Sequence, residues 1–164
     1  MEFMEHDQLV FLGNIYRFTM SRNTLICMMS TSKLKEIIKK VLTHHPEVLV
    51  AYLYGSRVKG YSTPESDVDL GILIEENFKT TPLYPERLAG EIMEETGYST
   101  AADVRILNHR NSRFLYRVIK EGEVIFCRDE RRRVEFETGV TRKYLDFKHI
   151  HEEYDTIRRQ RLMQ

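Results

Sequence analysis

Residues 48–74 decide the fold, and they read VLVAYLYGSRVKGYSTPESDVDLGILI. Residues 48–54 carry no charge and are rich in β-branched and aromatic types, which is typical of a strand buried on both faces. Gly55 ends this strand and, having no Cβ, lets a ligand come close to the backbone. Ser56 then opens a short segment that Gly60 can terminate, so we expect free backbone amides and a hydroxyl at a helix start. Such a position attracts phosphate.

Two carboxylates share one face of the next predicted strand. In an extended chain Asp67 and Asp69 project to the same side, whereas the opposite side carries the apolar residues Val68, Leu70, Ile72 and Ile74. Like charges this close repel each other unless a cation lies between them, and carboxylate oxygens suit Mg²⁺ or Mn²⁺ held jointly with phosphate. Asp103 lies in a later run with the same alternation and offers a third carboxylate.

These residues carry a resemblance to a known family. Gly55-Ser56, ten intervening residues and Asp67-Val68-Asp69 resemble the Gly-Ser-x10-Asp-x-Asp signature of the polymerase-β-like nucleotidyltransferases. The longer string GSRVKGYSTPESDVDLGIL resembles their small prokaryotic branch, the minimal nucleotidyltransferases (MNT). The branch pattern is also matched by Arg57, Gly60, Ser66 and Leu70. The resemblance covers roughly residues 32–126 and implies an α/β (α+β) fold, in which helices flank a mixed β-sheet and a helical tail follows.

The resemblance also implies a chemistry, namely Mg²⁺-dependent transfer of AMP from ATP to a hydroxyl group. We expect three carboxylates to be catalytic and to hold two Mg²⁺ ions, or Mn²⁺: Asp67, Asp69 and Asp103. We expect the nucleotide phosphates to contact Gly55, Ser56, Arg57 and Ser66, with a merely solvated Arg57 as an alternative.

The resemblance further implies a partner protein. The chain after residue 128, including Tyr144-Leu145-Asp146-Phe147, is similar to the tail of the branch that acts as antitoxin beside HEPN-domain ribonuclease toxins. The implied acceptor is a tyrosine of such a toxin. Two alternatives are nucleotidyl transfer to a small molecule, as in aminoglycoside-modifying relatives, and an antitoxin that only binds. Three mutually repelling carboxylates disfavour the binding-only alternative, because a site without catalysis has no physical reason to keep them.

Length and composition indicate one compact domain with helical additions. The chain has 164 residues, which suffices for one core, and its 25 basic and 25 acidic residues leave no excess charge for binding RNA or DNA. Two cysteines suggest no disulfide framework, and no apolar tract is long enough to span a bilayer. We therefore expect a reduced, cytoplasmic protein. No histidines show a convincing metal-ligand spacing, and we expect His44 and His45 to be solvated at a helix end.

We divide the chain into three segments. Residues 1–30 are an N-terminal extension, unless translation begins at Met28 or Met29. Residues 31–128 form the nucleotidyltransferase domain, and residues 129–164 form an amphipathic helical tail.

Within the domain, the pattern predicts further helices and strands. Ser32 is the expected N-cap of a first helix, and Gly97 is expected to stop a second helix that spans residues 86–96. That helix would be the crossover to the strand of Asp103. A third helix is expected to end at Gly122 and to lead into a short strand.

The tail shows apolar residues at spacings of three and four: Phe136, Val140, Tyr144, Phe147, Ile150, Tyr154 and Ile157. This pattern predicts an amphipathic helix, with an interruption near Gly139 or His149 as an alternative. Its apolar stripe either covers the core of the domain itself or docks onto another subunit, which would make a homo-oligomer, or onto a helical partner.

Overall fold

A computed structural model describes residues 30–58, 66–98 and 100–162. Almost all of the predicted N-terminal extension, including Met28 and Met29, lies outside the described residues, and so does Gly60. In chain order the described part forms α1 (Thr31–Thr43), β1 (Val48–Tyr54), β2 (Val68–Ile74), α2 (Tyr84–Glu95), β3 (Ala102–Ile106), α3 (Ser112–Glu121), β4 (Glu123–Cys127) and α4 (Glu130–Leu162).

The strands form one mixed sheet in the order β3-β2-β1-β4. Strand β1 runs antiparallel to both β2 and β4, whereas β2 and β3 run parallel to each other. Parallel neighbours need a crossover, and α2 provides it, as the sequence predicted. The expected α/β fold with a mixed sheet flanked by helices is therefore confirmed.

Helices cover both faces of this sheet. One core lies between the sheet and helices α1 and α2, and it contains the apolar side of β2. A second core lies between the sheet and helices α3 and α4, and it contains Tyr52, Tyr54 and Leu73. Every residue of β1 is buried, in agreement with the prediction of a strand buried on both faces.

The face of β2 that carries Asp69 is not simply a polar face. Leu73 on that face is buried in the second core, and a Cβ at Gly71 would lie only 2.9 Å from Leu107 Cδ2. Polar character on this side of β2 is confined to the start of the strand, where Asp67 is exposed and Asp69 is partly buried.

Two local expectations were wrong. The N-cap of α1 is Ser30 and not Ser32, and the Ser30 hydroxyl accepts a hydrogen bond from the Lys33 amide at 3.3 Å. His45 is not solvated but buried, and its two ring nitrogens lie 3.1 Å from Glu47 Oε1 and 2.8 Å from Glu91 Oε2. These contacts connect the end of α1 to α2.

The tail forms a single uninterrupted helix, so the predicted interruption near Gly139 or His149 is wrong. The first half of α4 packs on the domain, where Val140 is buried and the Tyr144 ring stacks on Tyr116 with ring centroids 3.9 Å apart. Beyond Tyr144 the apolar side chains are largely exposed: Leu145, Phe147, Ile150, Tyr154 and Ile157.

Among the described helices, none combines the length and the apolar character needed to cross a membrane.

The junction between α3 and β4 yields a test of the packing. A Cβ at Gly122 would lie 2.4 Å from the Val118 carbonyl oxygen and 3.0 Å from the Leu53 carbonyl oxygen. Both are backbone atoms, and moving them would distort the helix and the sheet. We therefore predict that Gly122→Ala lowers the free energy of unfolding by about 1–3 kcal/mol. Urea denaturation of the purified variant measures this change.

Gly90→Ala is the matched control. Gly90 lies on the exposed side of α2, and a Cβ there would meet nothing within 4 Å. Alanine should therefore raise the free energy of unfolding by roughly 0.5–1 kcal/mol through helix propensity. Equal effects of the two substitutions would contradict the described packing at Gly122.

Candidate active site

Strand pairing aligns three side chains across the sheet. Antiparallel pairing sets Tyr54 opposite Asp69, and parallel pairing sets Asp69 opposite Asp103. Residues paired in this way project from the same face of a sheet. Here that face is the one covered by α3 and α4. We call these three residues the Tyr54–Asp69–Asp103 row.

Gly55 lies against this row. Its φ of +79° belongs to the left-handed region that favours glycine, and a Cβ at Gly55 would lie 2.0 Å from Asp69 Oδ2. The sequence predicted that glycine lets a ligand approach the backbone here. The described structure shows that the carboxylate of Asp69 itself approaches this closely.

The surroundings of Asp69 disfavour its charged form. Burial raises the pKa of the Asp69 carboxyl above its usual range, and the negative charges of Asp103 and, to a smaller extent, Asp67 raise it further. Arg105 and Arg117 act in the opposite direction. A cation beside Asp69 would therefore stabilise the ionised carboxylate.

Asp103 already has a cationic partner in its own strand. Arg105 donates to Asp103 Oδ2 through Nε at 2.8 Å and through Nη2 at 2.6 Å. These hydrogen bonds are the main reason that the pKa of Arg105 is raised. Both bonds end on the same oxygen, so Arg105 does not use Oδ1 of Asp103.

Sequence reasoning missed Tyr54, Arg105 and Arg117 as parts of this site. The alternation of β3 places Arg105 on the face of Asp103, which was the available signal. Tyr54 looked like one more apolar residue of a buried strand. Arg117 lies on α3, and nothing local in the sequence connects that helix with Asp69.

The predicted phosphate-binding residues lie at the start of β2 and in the preceding turn. Residues 55–58 form a turn. Arg57 donates to the Ser66 carbonyl through Nε at 3.0 Å and Nη2 at 2.6 Å, and to Thr100 Oγ1 at 2.7 Å. Arg57 thus connects the turn to the segments before β2 and β3. Nucleotide contacts of Gly55, Ser56, Arg57 and Ser66 stay predictions.

The donor set fits a hard divalent cation, although the described residues include no group of three Asp, Glu, His or Cys side chains placed to hold a metal. Mg²⁺ in proteins is commonly bound by one or two carboxylates and completes its ligands with water and phosphate oxygens. Asp69 and the exposed Asp67 can supply such a pair. The metal-binding and catalytic roles of Asp67, Asp69 and Asp103 stay predictions.

The sequence matches the model of a known protein family. A family model described as polymerase beta, nucleotidyltransferase matches residues 36–131, which is more than half of the chain. No curated protein matches the sequence.

Solved structures show the same fold. One chain of a toxin–antitoxin crystal structure with AMP-PNP is 19% identical with a TM-score of 0.62, and the match covers 79% of this chain and 98% of that chain. A second match is to one chain in the structure of a complex between the tri-AMPylated HEPN toxin of Shewanella oneidensis and MNT antitoxin. This chain is 17% identical with a TM-score of 0.60. This second match covers 82% of this chain and 100% of that chain.

The contact between Gly55 and Asp69 predicts that a larger residue at position 55 disturbs cation binding. We expect Gly55→Ala to abolish Mn²⁺ binding, because the new Cβ forces the Asp69 carboxylate out of its position. The variant should also lose about 1–2 kcal/mol of stability, since alanine is strained at a positive φ. Mn²⁺ titration followed by electron paramagnetic resonance, together with thermal unfolding, measures both effects.

Gly97→Ala separates strain from displacement of Asp69. Gly97 has a φ of +64°, but a Cβ there would meet nothing within 4 Å. This control should lose similar stability and still bind Mn²⁺. If both variants bound Mn²⁺ equally well, the proposed importance of the Gly55–Asp69 contact would be refuted.

Proposed function

Because the chain belongs to the polymerase β nucleotidyltransferase family, we propose that it transfers AMP from ATP to a tyrosine hydroxyl of a cognate HEPN ribonuclease toxin. The reaction depends on Mg²⁺, and the modification silences the toxin, so the protein acts as an antitoxin. The observation that carries this proposal is the alignment of Asp69 with Asp103 beside Gly55, within the domain that matches the family.

The structural relatives support the choice of nucleotide and acceptor. One was solved with AMP-PNP, and another contains a tri-AMPylated HEPN toxin together with its MNT antitoxin. The shared fold extends over about four fifths of this chain, well beyond residues 36–131. A common fold of this extent supports, by analogy, a similar reaction and a similar type of partner.

The three carboxylates and the turn of residues 55–58 would have different roles in this reaction. Asp67 and Asp69 would hold the divalent cation together with phosphate oxygens of ATP, and a second ion would involve Asp103. A bound divalent cation neutralises the charge that develops on the phosphates. The turn of residues 55–58 would position the β- and γ-phosphates, with Ser56 as a hydroxyl contact.

The chemical step is an in-line displacement at the α-phosphorus. The tyrosine oxygen of the toxin forms a bond to this phosphorus, the bond to the oxygen that bridges to the β-phosphate breaks, and pyrophosphate leaves. The proton of the tyrosine hydroxyl passes to Asp103 or to water. Oδ1 of Asp103, which Arg105 does not use, is the available acceptor on this side chain.

A double substitution of Asp67 and Asp69 tests the proposed activity. We predict that Asp67→Ala combined with Asp69→Ala lowers transfer of label from α-labelled ATP to the cognate HEPN protein by at least roughly 100-fold. The reason is that each tenfold loss of rate corresponds to about 1.4 kcal/mol, and metal-assisted charge stabilisation is worth several kcal/mol. Autoradiography and intact-mass measurement of the partner detect the transfer.

Glu36→Ala is the control, because Glu36 is exposed on α1, which packs on the opposite face of the sheet from the row. Both variants should unfold cooperatively, and only the double variant should lose transfer. Unchanged transfer by the double variant would refute the assigned site. Silencing of the toxin without any gain of nucleotide mass would instead favour the binding-only alternative.

We further propose that the toxin docks on the exposed side of α4. Phe147, Ile150, Tyr154 and Ile157 follow one another at spacings of three and four and therefore share one side of the helix. Each is 43–62% exposed. A stripe of large apolar side chains that a domain leaves uncovered is typical of a protein-binding surface. The first half of α4 packs on the domain's own core. Under this proposal the stripe covers the core in its first half and binds another protein in its second half.

The docking surface is tested with a charge placed in it. We predict that Phe147→Glu weakens binding to the same HEPN protein at least about tenfold, since loss of a central anchor residue costs about 2 kcal/mol or more and tenfold corresponds to about 1.4 kcal/mol. Isothermal titration calorimetry measures the affinity. Val134→Glu is the control, because Val134 is 48% exposed on the opposite side of α4. Equal weakening by both would argue against this surface, and a change only in self-association would favour a homo-oligomer instead.

A further inference from the structure

Tyr54 presents an unusual combination of burial and missing partners. Only 8% of the residue is exposed, and among the described residues its hydroxyl is the one buried side-chain polar atom without a hydrogen bond. Buried polar groups are almost always paired, because an unpaired one destabilises the folded state. An unpaired hydroxyl at this place therefore needs an explanation.

The Tyr54 side chain packs against another aromatic ring and lies near charged groups. The Tyr54 ring packs edge-on against Phe114 of α3, with ring centroids 5.9 Å apart. Burial raises the pKa of the Tyr54 hydroxyl, and the charges of Arg105, Asp69, Asp103 and Arg117 also act on it. The hydroxyl is thus fixed among the charged groups of the row, yet it bonds to none of them.

The register shows which acidic group is the natural partner. Tyr54 is paired directly with Asp69, whereas Asp103 lies one strand further away. The Asp69 carboxylate instead lies against the backbone of Gly55, where a Cβ would be 2.0 Å from its Oδ2. With Oδ2 of Asp69 beside Gly55, Oδ1 is the oxygen that remains to accept from the neighbouring hydroxyl. Ligating carboxylates are commonly held by such a second hydrogen bond.

We propose that Tyr54 is a positioning residue, whose hydroxyl donates a hydrogen bond to Asp69 when this carboxylate binds the divalent cation. This inference rests on the proposed function, because it assumes that Asp69 is a metal ligand. It adds that the metal-free protein carries an unsatisfied donor which metal binding satisfies. The unpaired hydroxyl makes the metal-free state less stable and so favours the metal-bound one.

Tyr54→Phe tests the inference with two readouts that move in opposite directions. Removal of an unpaired buried hydroxyl should raise the melting temperature of the metal-free protein, since the ring and its packing on Phe114 are kept. The same change should lower the affinity for Mn²⁺ at least about tenfold, as expected for loss of a group that holds a metal ligand. Thermal unfolding and Mn²⁺ titration by electron paramagnetic resonance measure the two effects without any turnover.

Tyr52→Phe is the matched control on the same strand and the same face. The Tyr52 hydroxyl donates to Glu137 Oε1 at 3.0 Å, so its removal should lower the melting temperature and leave Mn²⁺ affinity unchanged. A purely structural role of Tyr54 would give the same pattern as Tyr52. Such a pattern, or an Mn²⁺ affinity of Tyr54→Phe within twofold of the wild type, would overturn the inference.

The proposed function and this inference fail in distinguishable ways. If the wild type binds Mn²⁺ and the Asp67/Asp69 double variant does not, unaltered binding by Tyr54→Phe refutes only the role of Tyr54. If the wild type binds no Mn²⁺ even with a nucleotide present, the proposed function and the inference are refuted together.

Discussion

The arrangement of this protein depends on the pairing of three strands in one register. Strand β2 lies between an antiparallel and a parallel neighbour, and this places Tyr54, Asp69 and Asp103 side by side on one face. A slip of one residue in either pair would move a carboxylate to the opposite face, where α1 and α2 enclose an apolar core. Burial on both faces fixes the register strongly. The apolar residues of β2 thus determine where its aspartate projects.

The row concentrates charge at the border of a buried core. Asp69 is partly buried and next to a second carboxylate, and two arginines reduce the resulting repulsion. Arg105 is bonded to Asp103, whereas Arg117 belongs to α3, which also supplies Phe114 against Tyr54. Helix α3 therefore has a double role, since it covers the second core and contributes positive charge beside the acids. Such a balance suits a site that binds a cation together with a polyanionic nucleotide.

Helix α4 connects this site to the surface proposed for the partner. Its first half is fixed to the domain by Val140, by the stacked ring of Tyr144 and by the hydrogen bond that the Tyr52 hydroxyl donates to Glu137. An ion pair between Arg113 and Asp155 extends the attachment along α3. The apolar side beyond Tyr144 continues without a covering element among the described residues. The helix is uninterrupted, so the stripe proposed for the partner is continuous with the part of α4 that packs on the domain.

Alternation and spacing in the sequence determined the bounds of β1, the apolar side of β2 opposite Asp69, the crossover helix and the helical tail. These features depend on neighbouring residues, which fix periodicity and helix ends. The sequence predicted Ser32 and not Ser30 as the N-cap of α1, because a serine at either position is locally suitable. Tertiary structure alone decided that Tyr54 is paired with Asp69, that Arg117 acts on the charge of Asp69 and that His45 is buried against Glu91 of α2. Each of these contacts joins segments far apart in the chain, and register and packing across the sheet, which no local pattern encodes, bring them together.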